Sequence, residues 1–120
     1  KAAARGRLLE LLVPSLSLDP ALDDVGDLAF MIGTFSLLDT LLNMPMTDIL
    51  HQLPLPEIAQ QALGTHNGPF GQLLSAVDAA DKRELNMAAS LLAKLEIDPA
   101  TYLDAELTAI SWAAKIRPSS

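Results

Sequence analysis

Apolar residues recur along this chain at helical spacing, and proline and glycine divide them into short segments. Leu8, Leu11 and Leu12 share one face and predict a helix over 2–12, ended by Pro14. The stretch 15–24 reads as a loop with Pro20 and the acids Asp19, Asp23 and Asp24, and Asp24 or a neighbour is expected to cap the next helix. That helix, over 26–42, is apolar almost all round. Phe30, Gly33, Leu37 and Leu41 line one side, and Met31, Phe35, Leu38 and Leu42 line another. Such a pattern predicts a buried central helix. Gly33 within it costs about 1 kcal/mol relative to Ala in an exposed helix, and close helix packing is the usual reason to keep it.

Proline introduces two short helices, over 45–53 and 56–63, the second closed by Gly64 as a C-cap. Thr65, His66, Asn67 and Gly68 form a turn. Further helices are expected over 69–80 and 82–95, and Asp98-Pro99 opens a last helix that runs to about Ile116. No segment carries a strand signal. The expected fold is all-α, an antiparallel array of about six to seven helices in one domain over 1–120.

Composition agrees. Half the residues are apolar and 4% are aromatic, so Leu, Ala, Ile and Met must fill the core. The net charge is -7, and no Lys or Arg occurs between Leu8 and Asp81. That leaves no clustered cations for a nucleic-acid backbone or an anionic membrane surface. With no Cys, neither a disulfide nor a thiolate metal site can form. No apolar run approaches the roughly 20 residues of a membrane span, and Glu10 and Pro14 interrupt any signal-peptide core, so a cytoplasmic location is expected. The chain starts at Lys1 without a Met, as a piece of a longer protein would.

Candidate chemistry is sparse. His51 falls mid-helix and His66 in a turn, and neither has a second ligand at metal-binding spacing. Asp39 sits inside the helix taken as buried, where a carboxylate needs a partner. Its functional reading is an acid, base or ligand. Its structural reading, a carboxylate that accepts backbone amides or caps a neighbouring helix, is preferred because no second titratable group lies nearby. Asp23, Asp24 and Asp27 lack the alternate oxygen ligands and closing Glu of a calcium loop. The glycines of 64–71 come without a P-loop lysine, and Ser36 and Ser75 have no base at a recognisable spacing. The last helix is apolar on two faces: Leu103, Leu107 and Ile110 on one, Ala105, Thr108 and Trp112 on the other. One face packs the core; the other, with Tyr102, Ala105, Thr108 and Trp112, is the candidate interaction face.

The central segment then resembles a known family. Asp27-Leu28-Ala29-Phe30-Met31-Ile32-Gly33, Phe35-Ser36-Leu37-Leu38-Asp39, Leu42-Asn43-Met44-Pro45-Met46, Ile49-Leu50 and Leu53-Pro54-Leu55 are similar to the C-terminal part of HDOD domains. The variant most like it stands behind an EAL domain in bacterial cyclic di-GMP signalling proteins. Gly68-Pro69 with Leu73-Leu74, and Ala109-Ile110-Ser111-Trp112-Ala113, fit the same type. The resemblance implies an HD-domain-like helical fold and a signalling or interaction role without catalysis. In hydrolytic HD relatives, the metal-binding His-Asp pair would fall at Ser36-Leu37, which supply neither ligand. The resemblance further implies that N-terminal helices and an EAL domain lie upstream. The expected function is therefore a non-enzymatic signal-transduction domain without a cofactor. It would bind other domains of its own protein or a protein partner, or form a homo-oligomer. The alternative is a degenerate metal-dependent phosphohydrolase of the HD type.

Overall fold

The computed structural model describes residues 2–16, 18 and 22–116. Among the described residues there are eight α-helices and one short 3-10 turn, with no strand, so the chain is an all-α array. The helices are α1 (Ala2–Leu12), α2 (Val25–Phe35), α3 (Leu38–Leu42), α4 (Met46–Gln52), α5 (Glu57–Thr65), α6 (Gly68–Asp81), α7 (Leu85–Lys94) and α8 (Pro99–Ile116), and the 3-10 turn is Val13–Ser15. Ser17, Asp19 and Pro20 of the expected loop lie outside the described residues.

The extra helix comes from a break. The helix expected over 26–42 stops at Phe35, and a turn at Ser36 and Leu37 separates α2 from α3. Ser36 Oγ donates to the Gly33 carbonyl at 2.7 Å, the local bond by which serine competes with a helix ladder. Other ends move slightly. Gly64 stays helical, and His66, in the left-handed region at φ 55, closes α5 instead. Arg83 at φ 61 delays α7 until Leu85. Asp24 does stand at the N-cap of α2, but its side chain makes no capping bond.

The centre of the array is not the segment the apolar pattern favoured. Only Ala29, Ile32 and Gly33 of α2 are buried, and α3 has no buried residue. Leu41 is 68% exposed and Leu42 54%. Helix α6 takes the central place, burying Phe70, Leu73, Leu74, Ala76, Val77 and Ala79 together with Gly71. Helix α1 contributes Leu8, Leu9 and Leu12 to the same core. Each fully buried large side chain contributes about 1.5–3 kcal/mol. Small residues on α6 let α5 and α7 approach it closely, whereas α3 packs against α4 and leaves Leu41 and Leu42 uncovered.

The segment Val25–Leu42 also meets the length and hydropathy of a short membrane span, with a mean hydropathy of 1.5 over 18 residues and 17% buried. This corrects the expectation that no run approaches spanning length. The turn at Ser36 and Leu37 divides it into helices of 11 and 5 residues, each shorter than the roughly 20 residues that cross a bilayer.

Helices α1 and α2 meet glycine on glycine. A Cβ on Gly33 would stand 2.7 Å from Gly6 Cα and 2.8 Å from the Arg5 carbonyl oxygen. A Cβ on Gly6 would stand 2.6 Å from the Phe30 carbonyl oxygen. These are backbone atoms, so neither position can accept a methyl group without separating the helices. Gly33→Ala should therefore destabilise by about 1–3 kcal/mol in urea denaturation, the usual cost of overpacking, despite the helix propensity gained. At Gly26 an added Cβ would meet only the Glu10 side chain, at 3.6 Å, and Gly26→Ala should be neutral or stabilising by about 0.4–1 kcal/mol. Stabilisation by Gly33→Ala would contradict the crossing.

Candidate functional site

The close crossing places Arg5 under the turn between α2 and α3 and against the end of α6. Its side chain is 7% exposed. One guanidinium nitrogen bonds Asp81 directly and lies 3.9 Å from Asp78, and another donates to Ser36 Oγ at 3.4 Å. Lys82 reaches back one turn to Asp78 at 3.0 Å. Asp78, through its hydrogen bond first and its charge second, raises the Lys82 pKa, so this ammonium stays protonated. A buried cation is tolerated only when paired in this way.

Beside this network lies a polar cavity of about 290 Å³, lined by Arg5, Ser36, Leu37, Asp39, Thr40, His66, Leu74, Asp78 and Lys82. The turn that breaks the central helix thus forms one wall. Asp39 is half-buried rather than buried, and it begins α3 rather than sitting within a long helix. Its carboxylate accepts the Thr40 amide at 2.8 Å. His66 lies opposite, brought in by the close approach of its backbone to Gly71, where a Cβ would meet His66 Cα at 2.7 Å. Its Nδ1 is 2.8 Å from Ser75 Oγ. Sequence spacing gave Ser75 no base; the fold supplies His66 across the α5–α6 turn. Among the described residues, no three His, Asp or Glu side chains converge as a metal would need. Asp78 and Asp81 face cations instead.

His51 is exposed on α4, in a shallow hollow with Thr47, Leu50 and Gln60, apart from the polar cavity. Asp23, Asp24 and Asp27 are exposed.

On the other side of Arg5 is a larger cavity of about 570 Å³ between α1, α6 and α8, with apolar and polar walls in nearly equal share. Leu8, Val77, Leu85 and Ile110 supply its greasy walls, and Arg5, Asp81, Arg83, Tyr102 and Glu106 its polar groups. Tyr102 is buried, with its hydroxyl near the Glu106 carboxylate. Burial, and secondarily the nearby Glu106 carboxylate, push its pKa well above the usual tyrosine range. The phenol is therefore held as a hydrogen-bond donor.

The two faces of α8 exchange the roles expected of them. Tyr102, Ala105 and Ala109 pack into the core. Trp112 is half-buried, edge-on to Phe30 with ring centres 5.7 Å apart, and the Arg7 guanidinium lies 5.4 Å from its ring centre. Thr108 alone of the four candidate interface residues is exposed. The stripe facing solvent is Leu103, Leu107 and Ile110, at 55%, 59% and 54% exposure. Helical spacing separates two faces but does not say which one meets α1. The small side chains of Ala105 and Ala109 settle it, because they permit the close approach that leucines would block.

Arg5 tests the polar site. Arg5→Met keeps an apolar stem but removes the bonds to Asp81 and Ser36, and should cost about 1.5–3 kcal/mol at neutral pH in urea denaturation. Tyr102, the sole tyrosine, tests the larger cavity. Below about pH 10, the ordinary tyrosine pKa, the phenol is protonated in both folded and unfolded chains. Above it the unfolded chain ionises first, so stability should fall with rising pH. Phenolate absorbance should then appear only above the usual tyrosine range or together with unfolding. A free titration near pH 10 in the folded chain would contradict the burial.

No family model matches the chain, and no solved structure matches it. Two curated proteins are similar to parts of it. A stretch of 56 residues, 47% of this chain, is 39% identical to the cyclic di-GMP phosphodiesterase CdgJ of Vibrio cholerae. A stretch of 82 residues, 68% of this chain, is 32% identical to the uncharacterized protein YuxH of Bacillus subtilis. The matches cover 13% of the first protein and 20% of the second, so the chain corresponds to a small part of each.

Proposed function

We propose that this chain is the C-terminal portion of an HDOD domain in a cyclic di-GMP-related signalling protein, and that it acts by binding and not by hydrolysis. The similarity to part of a cyclic di-GMP phosphodiesterase supports the setting. The observation that carries a role without hydrolysis is the chemistry of the polar cavity. Where the HDOD resemblance puts the metal pair of hydrolytic relatives, the residues are Ser36 and Leu37, and the adjoining carboxylates are taken by Arg5 and Lys82. A divalent ion entering here would have to compete with a buried guanidinium and, among the described residues, would find no converging set of three His, Asp or Glu ligands. The His66–Ser75 contact does not by itself make a nucleophile and base, because no carboxylate is hydrogen-bonded to His66 among the described residues. The partner on this reading is another domain of the same protein or a separate protein.

The competing reading is an HD-type phosphohydrolase, and metal titration separates the two. Calorimetry with manganese, nickel or zinc ions should give no saturable binding in the micromolar range. Neither bis(p-nitrophenyl) phosphate nor cyclic di-GMP should be hydrolysed faster than in buffer. A one-to-one metal complex lost in Asp78→Asn, with turnover of either substrate, would establish the phosphohydrolase instead.

A further inference from the structure

Two features of α8 lie side by side. One is the exposed stripe of Leu103, Leu107 and Ile110; the other is the cavity that Ile110 shares with Leu85 and Tyr102. Leu85 is itself 65% exposed, so the cavity mouth opens onto continuous apolar surface. A cavity of about 570 Å³ falls within the usual range for ligand and anchor pockets. Tyr102 lines it but is itself only 8% exposed, with its hydroxyl buried near the Glu106 carboxylate.

We propose that this surface is the docking site for a basic amphipathic helix from another domain or protein. An apolar anchor of that helix would enter the cavity between Leu85 and Ile110. Charge selects this occupant. Asp104 and Glu106 flank the leucine stripe on its two sides at helical spacing, and Glu106 and Asp81 line the cavity itself. Lysines beside the anchor would pair with the flanking carboxylates. Arg83, on α7's side of the mouth, is the opposing charge and favours an acidic residue at that end of the partner. A second copy of this chain is a poor occupant, because each copy carries a net charge of -7. The inference rests on the binding role proposed above and gives it a surface. Metal-dependent turnover would refute that role, whereas the experiment below can fail without touching it.

The test titrates the whole chain with a fluorescent leucine–lysine amphipathic peptide and follows anisotropy. A peptide of the same charge with its leucines replaced by serine is the comparison. The leucine peptide should bind saturably and the serine peptide at least tenfold more weakly. Leu107→Ser should weaken binding at least tenfold, while Leu41→Ser, at an exposed leucine on α3, should leave it unchanged. The double variant Asp104→Asn, Glu106→Gln should weaken binding several-fold, because it removes the carboxylates that flank the stripe. Equal binding of both peptides, equal effects of Leu107→Ser and Leu41→Ser, or undiminished binding by the Asp104→Asn, Glu106→Gln variant would overturn the proposal. So would sedimentation showing a dimer that Leu107→Ser dissolves, which would assign the stripe to a second copy.

Discussion

Where Gly33 meets Gly6, the backbones of α1 and α2 approach so closely that one methyl group on either would force them apart. The position of Arg5 follows from this contact. The residue preceding Gly6 lies against α2 at the crossing, and its side chain runs beneath the turn at Ser36 to Asp78 and Asp81 on α6. A single close approach thus fixes three helices relative to one another and closes one side of both principal cavities.

The two cavities share Arg5 but differ in chemistry. The one at the α2–α3 turn is polar and internally compensated: each cation has a carboxylate, and Asp39 has the Thr40 amide. Such a network spends its interactions on holding the fold and has little left for a ligand or metal. The cavity against α8 mixes apolar and polar walls and opens beside the exposed leucines of that helix.

Much of the helical framework was legible in the sequence because proline, glycine and leucine spacing act locally. Pro14 marks the end of α1, and Pro45, Pro56 and Pro99 stand at or beside the starts of α4, α5 and α8. Gly33 was legible as a close-packing residue for the same reason. What spacing does not encode is which face meets what. The segment 26–42 is apolar all round, which suits a buried helix but does not supply neighbours to bury it, and Leu41 and Leu42 end in solvent. Likewise α8 shows two apolar faces, and the choice between them depends on α1. The polar site was hidden by distance along the chain. Arg5 and Asp81 are 76 residues apart, so neither looks paired in the sequence. Asp39 was singled out because it falls in an apolar run, while the more deeply engaged Arg5 sits in an ordinary-looking basic N-terminal stretch.

The central claim is that the glycine crossing positions Arg5 and that the two act as one unit. A double-mutant cycle on Gly33→Ala and Arg5→Met, followed by urea denaturation, tests it most directly. If the added methyl already pulls Arg5 from its carboxylates, the second substitution should cost less in the first background than alone. The predicted coupling is at least about 1 kcal/mol, within the range for residues that share one network. Additivity to within about 0.5 kcal/mol would show that the crossing and the ion pair stand independently, and would contradict the account.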